Sequence, residues 1–418
     1  MGKRLFKWGT LLKAAGLSIS LLLAGFAPVA VAMETSGIVS ADDLYYKDSN
    51  TYVQHILTTR VRLDLEKLNE SGTLAFHFDG SNRVRLGSKT TTSTSKNQRL
   101  DTAYIENNGK YLYLAAGRLL PKELYVERVD GVNAVYSLTG SFGIGLFGGL
   151  KPDPYTDAFN SSFTGAGIYG YYRSVTVSGS AAYVYNGYKG ATDRQYVYGQ
   201  VSYNPASQVS VYATGTADIN PENRKVKLVN GIMELSWRPD FNAAFSVGFN
   251  TFRSIKFYRS MLFAVDDSRQ QSVYINANYR IYGKFNIYGR VERQHRHSSV
   301  DEGSQNFNSY RAGFNTDDIL GSGVAMDMNA SFANGYGSKH NTYNVEVSRL
   351  NWEVLQVIAH ASYMQNWYGY INSDNILAYG LSGYLYLKKN WSFSLSFERE
   401  QGKDSVTNRL MTRIAFRF

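Results

Sequence analysis

The chain contains no cysteine among its 418 residues. That excludes disulfides, thiolate metal sites, iron–sulfur clusters and covalently attached haem within it. Proline is scarce, with seven copies, and apart from one segment near the N-terminus no apolar run approaches the length of a spanning helix. The signatures of common chemistry are missing too: no nucleophile elbow, no HExxH, no phosphate-binding loop. FGIGLFGG (142–149) is a glycine-thinned strand and not a dinucleotide loop. No catalytic residue, metal site or cofactor is expected, and the chain is not expected to be an enzyme.

What the sequence does have is tyrosine. There are 33 Tyr and 22 Phe, with 38 Gly, and hydrophobic content is an ordinary 44%. High Tyr and Gly without leucine-rich helical stretches indicates an all-β chain, and Tyr suits a boundary that is apolar on one side and wet on the other.

At the N-terminus Lys3, Arg4, Lys7 and Lys13 precede an apolar run from Ala14 to Ala27, and Ala30-Val31-Ala32 follows. This is the pattern of a secretory signal peptide over 1–32, cleaved between Ala32 and Met33. The remaining 386 residues, 33–418, would carry 40 basic and 34 acidic residues, a charge of +6, after the leader's four cations are taken from the 44.

Alternation fills those residues. In TTRVRLDLEKL, Val61, Leu63 and Leu65 share one parity against Arg60, Arg62, Asp64 and Glu66; WSFSLSFE sets Trp391, Phe393, Leu395 and Phe397 against Ser392, Ser394, Ser396 and Glu398. This is the period of a strand with two different faces. Tight connections, such as 69–72, 107–109 and 282–284, alternate with longer polar ones at 87–97, 119–130, 150–162, 187–193, 254–268, 298–305, 334–340 and 365–373. The expected fold is a single-chain antiparallel transmembrane β-barrel of about 22 strands (range 16 to 22), with short periplasmic turns and longer extracellular loops. The loop 254–268 is apolar, with Phe257, Tyr258, Met261, Leu262 and Phe263, and is the best candidate for an internal constriction; it could fold inward, touch a neighbouring subunit or extend a strand above the membrane, and extension ranks first.

The sequence closes with RLMTRIAFRF, in which Ile414, Phe416 and Phe418 share a parity. This resembles the C-terminal signature of outer-membrane β-barrel proteins, and GRLLPKELYVERVDGVNAVY and LFGGLKPDP resemble poorly characterised proteobacterial porin-like barrels. The resemblance implies recognition of Ile414, Phe416 and Phe418 by the barrel assembly machinery, and residence in the bacterial outer membrane among lipid and lipopolysaccharide. It also implies a homo-oligomer or a periplasmic partner protein; no nucleic acid is expected.

Projected inward, the alternation gives Arg60, Arg62, Asp64, Glu66, His77, Asp79, Asn276, Asn278, Arg280, Arg290, Glu292, Arg311, Asp327, Glu346, Glu398 and Arg413 as candidates to line the lumen. Charges this frequent do not face lipid, where a midplane Arg or Lys costs roughly 2–4 kcal/mol. QHRHSSVDEG (294–303) gathers His295, His297, Ser298, Asp301 and Glu302, but its composition is that of a solvated loop. The expected function is an outer-membrane porin, a water-filled channel for passive diffusion of small hydrophilic solutes or ions. The alternative is a barrel sheath around a partner such as a multihaem cytochrome electron conduit.

Overall fold

The computed structural model describes residues 33–49, 53–85, 98–124, 127–153, 156–260, 268–281, 284–297, 305–351, 354–368, 371–387 and 390–418. The expected leader, with Ala32, lies outside the described residues. Strands occupy almost everything else: β1 (Glu34–Asp48), β2 (Val53–Glu66), β3 (Leu74–Arg85), β4 (Gln98–Asn108), β5 (Leu112–Leu119), β6 (Val129–Ser137), β7 (Phe142–Leu150), β8 (Phe163–Arg173), β9 (Val177–Tyr188), β10 (Ala191–Ala206) and β11 (Val209–Ile219). The second half supplies β12 (Val226–Trp237), β13 (Ala243–Arg253), β14 (Arg269–Ile281), β15 (Phe285–His297), β16 (Asn306–Thr316), β17 (Val324–Gly335), β18 (Ser338–Asn351), β19 (Leu355–Tyr368), β20 (Ile371–Leu387), β21 (Trp391–Gln401) and β22 (Val406–Arg417).

Each strand pairs antiparallel with the next, and β22 returns to β1, from Ile38 opposite Arg417 to Asp48 opposite Thr407. The result is one closed 22-stranded barrel. Closure matters because an open edge would leave a row of unpaired backbone groups, which lipid does not satisfy. At the seam the pairing continues one residue past β22: Gly37 donates to the Phe418 carbonyl at 3.0 Å and Phe418 donates back to Gly37 at 3.1 Å. The Phe418 ring lies across Gly37, where a Cβ would come within 2.6 Å of Cζ. Ile414, Phe416 and Phe418 thus sit together on the outer face of the closing strand, and Phe416 packs against Trp391 with ring centroids 4.7 Å apart.

The two faces separate as the alternation requires. One carries large apolar side chains that no protein covers, among them Leu146 and Ile168 (each 56% exposed) and Leu381 (55%). The other holds a cluster of Tyr113, Val135, Phe147, Tyr169, Val184 and Tyr196, from strands β5 to β10, gathered around the loop residue Leu124. A loop from the rim can be enclosed by successive strands in this way only from inside the barrel. The uncovered apolar face is therefore the outer one, and it belongs in the outer membrane.

A row of glycines crosses the wall from β5 to β8. Gly117, Gly131, Gly149 and Gly165 stand opposite one another on these four successive strands. A Cβ on Gly131 would fall 2.1 Å from the Gly148 carbonyl, and one on Gly149 2.6 Å from that of Asp130. At Gly131 and Gly149 no side chain fits, because the neighbouring backbone already fills the place of a Cβ. Glycine lines of this kind turn corners in barrels.

Some connections expected to be long are short. Residues 187–193 are a hairpin turning at Lys189 and Gly190 (φ 48° and 81°), and 334–340 turns at Tyr336 and Gly337 (φ 52° and 77°). Polar composition there marks the part of a hairpin that stands in water; it does not mark unpaired chain, because the ladder continues above the membrane.

A charged constriction as candidate functional site

Residues 120–124 and 127–128, between β5 and β6, lie inside the barrel. Pro121 accepts from the Leu124 amide (3.1 Å), closing a turn, and Asn133 on the inner face of β6 accepts the Lys122 amide at 3.0 Å. Asn133 is 1% exposed, and its amide also donates to the Leu146 carbonyl and to the Tyr169 hydroxyl. Lys122 lies over the Tyr113 ring at 4.1 Å, and Glu123 pairs with Arg173, the last residue of β8. Leu124 is 0% exposed. An apolar plug residue and its polar clasp thus hold the loop against one side of the interior.

Glu127, 7% exposed, completes the clasp. It pairs with Lys151 at 2.7 Å and accepts from Tyr196 at 2.8 Å and Asn186 at 3.1 Å. Burial pushes its carboxyl up, but Lys151 and the donated hydrogen bonds outweigh that and hold it below the usual carboxylate range. Lys151 and Arg194 both lie against the Phe257 ring, at 5.4 and 6.0 Å. Phe257 belongs to the apolar loop named as the best candidate for an internal constriction, for which extension of a strand ranked first; its residues 257–260 instead turn inward. The reason is Asp193, placed at a register shift in β10, where an extra residue re-aims the chain. Its buried carboxylate accepts from the Arg259 and Ser260 amides (2.7 and 3.0 Å) and the Ser260 hydroxyl (2.7 Å). Met261, Leu262 and Phe263 lie outside the described residues.

Beside these loops runs an ion-pair network. Arg60 binds Asp79 with two bonds of 2.7 Å and approaches Asp101 at 3.6 Å. Asp101 meets Arg99 at 2.6 Å and Arg128 at 3.7 Å, and both arginines reach Asp157, at 3.3 and 2.8 Å. Cations and anions balance, three of each, and they tie β2, β3 and β4 to the inward loops. Arg118 binds Asp130 at 2.5 Å and donates to the carbonyls of Leu100 and Asp157. Farther round, Arg194 forks onto Asp218 at 2.8 Å.

Of the residues projected from sequence, Arg60, Arg62, Asp64, Glu66, His77 and Asp79 share the inner face of β2 and β3. His77 Nδ1 is 2.7 Å from Asp64, its ring stacks on Tyr104 at 4.8 Å, and its Nε2 is 3.6 Å from Glu106. Arg62 is 3.6 Å from Asp64, whereas Glu66 sits at the short-turn rim opposite Glu34. The remainder form the facing wall. Asn276 and Asn278, with Arg280 at the rim end, share a face with Arg290 and Glu292, which pair at 2.9 Å. Arg311 stands opposite Arg290, and Asp327 accepts from the Tyr288 hydroxyl at 3.0 Å. Asp327, Glu346 and His360 follow one another across β17 to β19; Glu398 then binds Arg409 at 3.1 Å, and Arg413 approaches Asp42 at 3.4 Å. The projection found this wall but missed Arg99, Asp101, Arg128, Asp157, Glu127 and Lys151. They flank or occupy connections, where alternation gives no inward direction; the charges in YVERVD and LKPD were the available signal. His295 and His297 lie on the outer face of β15, and Ser298, Asp301 and Glu302 lie outside the described residues. Among the described residues no group of His, Cys, Asp and Glu is arranged to hold a metal.

No family profile matches the chain, and no curated protein matches it. Solved structures do share its fold. A BenF-like porin from Pseudomonas fluorescens Pf-5 is similar over 93% of this chain and 98% of its own, at 8% identity and a TM-score of 0.50. Pseudomonas aeruginosa OpdK, solved with vanillate, covers 92% and 98% at 8% identity and TM-score 0.49, and Acinetobacter baumannii OccAB4 covers 92% and 98% at 9% and 0.45. The likeness is one of architecture, that of an outer-membrane porin barrel.

Proposed function

We propose that the barrel is a porin, a water-filled channel for passive diffusion of small hydrophilic solutes or ions. The observation that carries this reading is the division of the interior. One side is filled by the Leu124 loop and its aromatic bed, while the β14 to β22 wall, with its Asn, Ser, Arg and Glu side chains, faces it. Sixteen or more strands leave a channel unless something plugs it, and the inward loops narrow this one from one side. The network of Arg60, Arg99, Arg128, Asp79, Asp101 and Asp157 then sets the field at the narrowing. A barrel sheath around a threaded partner gains no support, because residues 120–124, 127–128 and 257–260 take up interior space that a partner would need.

The test is single-channel conductance of the purified barrel in a planar bilayer under a salt gradient. A stable conductance with a measurable reversal potential is expected. A barrel that inserts fully, resists SDS as a folded species and yet passes no current would overturn the proposal.

A further inference from the structure

His77, on the inner face of β3, stands between carboxylates of two different strands. Its Nδ1 is 2.7 Å from Asp64 of β2, and its Nε2 is 3.6 Å from Glu106 of β4. That second nitrogen is buried and has no partner at hydrogen-bond distance. Tyr104, directly opposite on β4, stacks on the ring at 4.8 Å and fixes its plane. The other charges near the ring are Arg62, 3.6 Å from Asp64, and Glu66, one same-face step farther along β2. On β3 itself Asp79 is held by Arg60.

Glu106 is also where the wall meets the inward loop. It accepts from the Tyr113 hydroxyl at 2.8 Å, and the buried Tyr113 ring carries the Lys122 ammonium at 4.1 Å. Lys122 in turn donates to Asn108 at 3.1 Å. A chain of direct contacts thus runs from imidazole to carboxylate to phenol to the loop.

We infer that His77 is a proton-dependent positioning residue: doubly protonated, it holds Glu106 and so keeps residues 120–124 on their bed, and on giving a proton to water it releases them. An ionised carboxylate only accepts, so the bond to Asp64 takes an N–H at Nδ1. In the neutral ring this leaves the Nε2 lone pair aimed at a Glu106 oxygen, two acceptors face to face. In the imidazolium Nε2 carries a proton as well, and charge-assisted bonds satisfy both carboxylates. The hold is therefore present below the titration of the ring and is lost as pH rises through it. The loop, on its bed or off it, is the two-state element that such coupling requires. The inference concerns where the loop sits and does not depend on whether the lumen conducts.

The chain has no cysteine, so Leu124→Cys, at a fully buried position, reports on the loop through its reaction with a small methanethiosulfonate. Labelling rates of the folded barrel are compared with and without His77→Phe, which keeps a ring on Tyr104 and removes both donors. The comparison is made at about pH 6 and about pH 9, either side of the ordinary histidine range and above the carboxylate range. Taking the ratio of the two backgrounds at each pH cancels the ionisation of the thiol itself. At the lower pH the native background is expected to label about tenfold more slowly than His77→Phe, the effect of one charge-assisted hydrogen bond. At the higher pH the two should agree. Heat-modifiability on SDS gels checks folding. Should His77→Phe not fold, Glu106→Gln replaces it: its amide donates to the neutral ring, so at the higher pH this variant should label more slowly than the native background. If Leu124→Cys by itself frees the loop, Val135→Cys, in the bed and close to valine in volume, carries the label instead. A ratio that does not change between the two pH values would overturn the inference.

Discussion

At the scale of single residues, the molecule depends on positions where nothing can be added and on positions where nothing can be removed. Gly131 is the first kind. Gly131→Val would drive two methyls into the Gly148 carbonyl, a contact already at 2.1 Å for a bare Cβ. The expected outcome is loss of the SDS-resistant folded band, because overpacking of a few kcal/mol consumes much of a barrel's margin. Phe418 is the second kind: its ring covers Gly37 and stacks beyond Phe416. Phe418→Ala should cost about 1–3 kcal/mol through lost apolar cover, read as a lower temperature at which the folded band disappears. The charges of the constriction act singly too. Asp157→Asn leaves Arg99 and Arg128 with Asp101 alone and should move the reversal potential toward anions, whereas Arg128→Gln should move it toward cations. A unit charge at contact distance is worth about 1 kcal/mol in water, so the permeability ratio should change by about fivefold in each direction.

Among elements, the inward loop 120–128 is where sequence reading and structure part company. Parity tells which face of a strand a residue occupies, so Arg60, Asp79, Arg290 and Glu398 can be assigned a face from their alternation alone, and the register gives them that parity. Parity says nothing of a connection, which has no alternating frame. In sequence the apolar loop 254–268 is the best candidate for an internal constriction, yet extension of a strand ranks above folding inward; Phe257 lies against Lys151 and Arg194 inside the barrel. The deciding residue, Asp193, lies on another strand, and its carboxylate captures the loop's amides across a gap in sequence that no local pattern spans. In β7, the glycine-thinned strand, the missing apolar atoms are supplied by neighbours, as Tyr169 covers Gly145.

The clasp of that loop should respond to acid. Glu127 titrates below the usual carboxylate range, so its stabilising contribution is fully present above that range and is lost as pH falls through the lowered value. Conductance recorded at neutral pH should therefore be steady, and below the usual carboxylate range it should become larger and noisier as the loop leaves its bed. Glu127→Gln should show this behaviour at neutral pH, since it strips Lys151 of its counter-charge, a loss on the order of 3–5 kcal/mol for a buried pair. Indistinguishable traces from variant and wild type at both pH values would show that the loop is held by Leu124 and Asn133 without help from the ion pair.

For the whole molecule, the row of Gly117, Gly131, Gly149 and Gly165 has a geometric consequence. Twenty-two strands fix the perimeter of the wall, and in a round cylinder perimeter would fix the bore. A corner turned at that glycine row would break that relation, because it would let a long circumference enclose a smaller area, much as a creased tube keeps its girth while losing its opening. Strand number and permeability can therefore evolve separately in this barrel. In a channel so built, the glycine row and the loop packed behind it would set the aperture, while the count of hairpins would set only how much membrane the protein displaces.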